Sequence, residues 1–125
     1  MIAEVQITGG TGLSNNDFIK IFNPGSVAQD IAGWKLRKRT QSGAESSIRV
    51  FPDGSRIEPQ GYFLWANSDD GFSASISANV SSTQYIAADN SIALFKSDGA
   101  LLDALAWGSG HVNPFVEGAA YPENP

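Results

Sequence analysis

The sequence predicts an all-β fold, a sandwich of two packed and mostly antiparallel sheets with little or no helix. Three observations predict it. Apolar residues recur with period two or in short runs, clusters of Gly, Pro, Asn and Asp interrupt them at strand-length intervals, and no segment keeps a sustained 3.6-residue period.

The elements follow in order. The first strand is read at 2–8, rich in β-branched residues, and it stops at the Gly-rich "GGTG" of residues 9–12. The second, 17–23, ends at Asn23-Pro24, because proline lacks the N–H that a ladder requires. The third, 33–39, alternates Trp34, Leu36 and Lys38 on one face with Lys35, Arg37 and Arg39 on the other. A fourth is read at 47–51. The next, 62–67, is "YFLWAN", apolar on both faces and so central, with Trp65 in the core. It follows "EPQG", where Pro59 and Gly61 suit a type I turn. Strands at 91–96 and 101–107 flank Asp98-Gly99 and are expected to form a hairpin. Two short extra pairings are expected around 27–31 and 84–87. The Ser- and Ala-rich stretch 69–84 reads as a long connection with at most one helical turn.

A chain of 125 residues is the size of one domain, and residues 1–125 are read as such, with 109–125 as an irregular C-terminal segment. The strand-like start and the Pro-rich end suggest a domain excised from a larger protein. The net charge of -5 argues against a general polyanion surface, so any nucleic-acid contact must be local. Without cysteine, disulfides, thiolate nucleophiles and Cys-based zinc sites are excluded. No run approaches the roughly 20 apolar residues of a membrane helix, and no signal peptide is visible.

The order of "DFIKIFNPGSVAQDIAGWKLRKR", "IRVFPDGSRIEPQGYFLWAN" and "NSIALFKSDGALLDALAWG" resembles the lamin tail domain, over residues 2–108. The strand ending in Asn23, the Gly33-Trp34 pair, the "PQGYFLWAN" segment and the "SDGALLDALAWG" hairpin carry the resemblance together. It implies an immunoglobulin-like β-sandwich. It also implies a non-catalytic accessory domain, closest to the bacterial members found in surface or secreted multidomain proteins. The family's nuclear members associate with DNA and with proteins, but the acidic balance here weakens the transfer of those roles.

Catalysis finds little support in the residues. His111 is the only histidine and lies in the loop-like "GSGHVNP", and no G-x-S-x-G elbow supplies a serine. Asp69-Asp70 reads as a turn before it reads as an acid/base pair, and "GGTG" lacks the lysine and following helix of a phosphate loop. Asn15, Asn16 and Asp17, or Asp69 and Asp70, offer oxygen ligands to calcium, without EF-hand spacing. The chain is therefore read as non-enzymatic, and no cofactor is implied.

The sharpest local feature is "GWKLRKRTQSG", which holds Lys35, Arg37, Lys38 and Arg39, half of the eight basic residues. Lys35, Arg37 and Arg39 would line one strand face at intervals of about 6.6 Å. Three phosphate contacts give a salt slope of about -2.7, so affinity falls roughly fortyfold between 50 and 200 mM salt. Such binding is weak and non-specific. The plainer reading is a wet strand face whose long cations discourage edge-to-edge aggregation.

The expected function is an interaction or structural module of a bacterial surface or secreted protein, its partner another protein or an envelope polymer. The alternatives are weak nucleic-acid binding through residues 35–39 and carbohydrate binding through exposed aromatics. Alternation places Trp34 and Trp107 with aliphatic neighbours, which disfavours a sugar platform.

Overall fold

Alternating apolar positions close into two four-stranded sheets in the computed structural model, which describes residues 1–125. The strands are β1 (Ile2–Gln6), β2 (Phe18–Phe22), β3 (Gln29–Asp30), β4 (Lys35–Arg39), β5 (Glu45–Val50), β6 (Arg56–Ile57), β7 (Tyr62–Asn67), β8 (Val80–Ser82), β9 (Ser91–Phe95) and β10 (Leu101–Ala106). The first sheet has the order β1-β2-β7-β8 and the second β10-β9-β4-β5, while β3 and β6 form a two-residue ribbon. All pairings are antiparallel except β7 with β8. The only α-helix is a single turn, α1 (Phe72–Ser75), entered from a 3₁₀ turn at Asp69–Gly71.

The inner faces meet in one core. Ile19 and Ile21 of β2, Trp65 of β7, Leu36 of β4 and Ile92 and Leu94 of β9 are all essentially solvent-free. Trp65 lies in the centre, as the two-faced apolarity of its strand predicts, and its indole Nε1 donates to Ser82 Oγ at 3.0 Å. A second small cluster sits on the outer face of the other sheet, where Phe115 packs on Ala93 and Ala104. The C-terminal segment thus covers that face. Phe115 N donates to Ser91 Oγ, and the Arg39 guanidinium lies over the Phe115 ring at 3.9 Å.

Most expected strands occur, shortened by a residue or two where ladder bonds end, while the one expected at 47–51 starts two residues earlier, as β5. The hairpin of β9 and β10 closes through Lys96 and Ala100 around Gly99. Gly33 precedes β4 at φ +76°, and a Cβ there would meet Ser97 Cβ at 3.1 Å, which explains the glycine beside Trp34. The expected pairing near 27–31 is β3. The one expected at 84–87 is not formed, and the extra strand is β8, which begins four residues earlier at Val80. Residues 84–87 are instead held by side chains: Asn67 Nδ2 donates to Gln84 O, Asp17 Oδ2 accepts from Ile86 N, and Asn90 Oδ1 accepts from Ala87 N. With their backbone groups satisfied in that way, they need no ladder.

The turn at "EPQG" also differs from expectation. Gly61 N bonds to Glu58 O as a β-turn requires, but Gln60 has φ +58°, the type II signature and not type I. The left-handed residue is fixed from outside: Gln60 N donates to Asn23 O and its side-chain Nε2 to Pro24 O.

Candidate functional site

Three regions were brought forward by the sequence or emerge from the fold: the basic strand β4, a buried charge cluster beneath it, and the open side of the sandwich between β1 and β10.

On β4 the alternation holds. Leu36 and Lys38 point inward, while Lys35, Arg37 and Arg39 share the other face. Those three are not equivalent. Arg37 Nε meets Glu45 Oε2 at 2.7 Å and Arg39 Nη2 meets Glu45 Oε1 at 2.8 Å, so one carboxylate from β5 serves both. These two hydrogen bonds hold the Glu45 carboxyl below its ordinary range. Arg39 also donates to Asn113 O and stacks on Phe115. Lys35 alone of the three has no ion-pair partner.

Lys38 is buried, 6% exposed, and its Nζ donates to Tyr85 O while sitting 4.2 Å from the centroid of the Tyr85 ring. Burial lowers its pKa, and the charge of Asp17 opposes that fall. Asp17 is fully buried. Burial raises its pKa to about 6, with the Ile86 N–H bond and the Lys38 charge pulling the other way and Asp69 adding to the rise. Its Oδ1 has no hydrogen-bond partner. Asp17, just before β2, and Lys38 of β4 grip the two polar ends of a single peptide unit, Ile86 N–H and Tyr85 C=O. The pair therefore pins the segment before β9 across the sandwich.

The other nominated groups make contacts within the fold. His111 Nε2 lies 2.8 Å from Trp107 O, anchoring the loop after β10. Asn15 Nδ2 donates to Asp69 Oδ2 at 3.1 Å, and no three His, Cys, Asp or Glu residues cluster as metal ligands. Trp65 and Trp107 are in the core and Trp34 packs against it, while the large exposed aromatics are Tyr62, Tyr85 and Tyr121. Tyr62 has one aromatic neighbour, Phe22, at 5.1 Å and tilted by 35°, which is not a flat sugar platform.

The sandwich has two open sides, and they are finished differently. On one, Ser82 Oγ of β8 donates to Ile48 O of β5 and joins the two sheets. On the other, Asp103 Oδ2 of β10 accepts Ile2 N of β1 at 2.7 Å. Beside that link lies a cavity of about 510 Å³, lined by residues 2–5 of β1, by Leu105 and Trp107, and by Tyr121, Pro122, Glu123 and Pro125. A smaller one of about 260 Å³ adjoins it, sharing Ile2, Leu105 and Tyr121. Tyr121 reaches this place because its N–H bonds to Ala106 O and its carbonyl accepts Gly108 N, a one-residue parallel bridge on the edge of β10. Sequence reasoning missed this region. Its walls come from the two ends of the chain, and no local pattern announces such a meeting.

Compared with known protein families, residues 1–109 match the family described as Lamin Tail Domain. No curated protein matches the chain. The match ends before Tyr121, so one wall of the cavity lies outside the family's span. The family's domains are non-enzymatic, immunoglobulin-like interaction domains, in accord with two packed sheets and structural roles for the charged groups. With its match covering all ten strands, this chain belongs to the lamin tail domain family.

Proposed function

We propose that this domain is a non-catalytic protein-interaction module of a larger bacterial surface or secreted protein, and that it engages its partner through the apolar cavity between β1 and β10. The observation that carries this is the cavity itself. An apolar floor of Ile2, Val5, Leu105 and Trp107, open beside an exposed tyrosine, is the composition of a protein-recognition surface. The resemblance to bacterial family members in surface proteins supports the setting.

Nucleic-acid binding through β4 is the second reading, and the pairing of Arg37 and Arg39 with Glu45 counts against it, because a phosphate must displace an existing carboxylate. The two readings separate in one experiment. Peptides are selected by display against the domain, then retested on Ala3→Arg, an exposed cavity position, and on Lys35→Glu with Arg37→Glu. The expected ligands fail on Ala3→Arg and survive the β4 pair. Failure to select any cavity-dependent peptide, together with salt-sensitive DNA binding lost in the β4 variant, would overturn the proposal.

A further inference from the structure

Edge strands carry unpaired backbone groups, and at three residues along this side one outward group is already taken. Ala104 N of β10 is taken by Asp103 Oδ1, Ala106 O by Tyr121 N, and Ile2 N of β1 by Asp103 Oδ2. At Val5 neither outward group is taken. Met1 and Phe22 exchange both backbone hydrogen bonds, so Phe22, Lys20 and Phe18 turn their backbone groups toward β1. Asn67 N to Asp17 O and Asn23 N to Gly61 O fix the complementary set, Ile19 and Ile21, toward β7. Val5 stands opposite Ile19, so its N–H and C=O point away from the sheet. The register shift between Ile2 and Glu4 leaves Ala3 as an extra residue at the same edge.

That edge borders the cavity, whose charged side chains are all acidic; the one positive group is the Met1 ammonium in the smaller part, which donates to Phe22 O and lies in the field of Asp103. Glu4 and Glu123 line the larger part, Asp103 and Glu117 the smaller, and neither contains a lysine or arginine. Glu4 is partly neutralised by Lys20 across the β1–β2 pair, at 2.9 Å, and Asp103 is engaged by backbone N–H groups. Glu117 and Glu123 have no ion-pair partner. The opposite wall is already an irregular, proline-containing segment, residues 121–125, held on a strand edge by Tyr121.

We infer that the occupant of this cavity is an extended cationic peptide that adds as a short strand to β1, taking the outward N–H and C=O of Val5, seating an apolar side chain against Leu105 and Trp107, and setting a lysine or arginine against Glu123 and Glu117. This rests on the reading of the cavity as a protein-binding surface and names the chemistry of the partner. Backbone bonds at a strand edge supply the register, apolar contact the affinity, and charge the choice of peptide.

The probe is a short synthetic peptide alternating valine and lysine, titrated into the folded domain at low salt. Tryptophan fluorescence and backbone amide shifts are the readouts. Saturable binding is expected, with shifts at Val5 and at the Trp107 indole. N-methylation of the peptide backbone on its bonding edge should weaken it at least about fivefold, and replacing its lysines with glutamate should weaken it further. Glu123→Lys, at an exposed position, should lower affinity at low salt and much less at high salt. Val5→Pro removes the N–H directly, and where that variant fails to fold the N-methylated peptide makes the same test from the other strand. Binding indifferent to N-methylation, equal binding of the glutamate peptide, or no saturation would overturn the inference. Cavity-dependent display ligands that prove acidic or helical would leave the interaction module standing and remove only this assignment. A selection that yields no cavity-dependent ligand would remove both.

Discussion

Replacing Asp17 by Asn should abolish one identifiable part of the domain's pH dependence. Asp17 is fully buried between the sheets, and burial raises its pKa from 3.8 to about 6. A raised carboxyl pKa means the native state binds the proton more tightly than the unfolded chain. The contribution to stability is therefore fully present below 3.8 and is lost as pH rises through about 6. At about 1.4 kcal/mol per pH unit the whole displacement is worth about 3 kcal/mol, of which about 1.3 kcal/mol falls between pH 5 and pH 7. Glu45, whose pKa is lowered from 4.5 by two arginines, works in the opposite sense and at lower pH, its contribution being lost as pH falls below 4.5. The informative quantity is thus the difference between wild type and Asp17→Asn, measured by urea unfolding at both pH values with the buried tryptophans as reporters. Asn keeps an oxygen for the Ile86 N–H, so the fold is preserved. The stability of the variant relative to wild type should rise by about 1.3 kcal/mol from pH 5 to pH 7. A difference that stays constant, or that moves the other way, would refute the assignment of a proton-binding carboxyl at this position.

Three further outcomes follow from single contacts. Glu45→Gln releases Arg37 and Arg39, each about a quarter to a third exposed; stability should fall by no more than about 1 kcal/mol, while low-salt affinity for duplex DNA should rise, as measured by fluorescence anisotropy. Trp107→Phe keeps most of the core volume but leaves Ala87 O without the indole N–H that meets it at 2.8 Å, and chemical unfolding should show a loss of about 1–3 kcal/mol. Gly33→Ala places a Cβ in the left-handed region and against Ser97, and the melting temperature should drop, by an amount corresponding to about 1–2 kcal/mol.

The strands were legible because burial is periodic and turn chemistry is local. Tyr62–Asn67 is matched residue for residue, since "YFLWAN" sends Phe63 and Trp65 to the buried face within six consecutive letters. Val80–Ser82 was not legible, because its parallel partner is selected by the crossing of residues 69–79 and three residues are too few to show alternation. The exchange of a ladder at 84–87 for three side-chain bonds was hidden for a related reason. Asp17, Asn67 and Asn90 are far apart in sequence, and each looks like an ordinary strand end or turn former. The basic strand was half legible. Alternation correctly sends Lys38 inward, but only the β4–β5 register shows that Glu45 lies within reach of both outward arginines.

The same comparison explains why charge is a poor guide to the working surface of this domain. Its most conspicuous cations are engaged internally, two by Glu45 and one by Tyr85 and the Asp17 field, so what the sequence displays most loudly holds the fold together. A sandwich has to seal its open sides, and the two seals here differ in kind. Ser82 links β8 to β5 deep beside Trp65, with no large cavity between them, whereas Asp103 links β1 to β10 at one point and leaves about 510 Å³ beside it. Filling that space with another large side chain from either strand would bury more apolar surface and stabilise the fold, at about 25 cal/mol per Å². Ala3 and Ala104, small residues beside the two cavities, do not fill it, and the strap of residues 121–125 crosses it without closing it. A cavity bordered by an unpaired backbone edge and left open at a cost in stability is better matched to a chain that arrives from outside than to the needs of the domain alone.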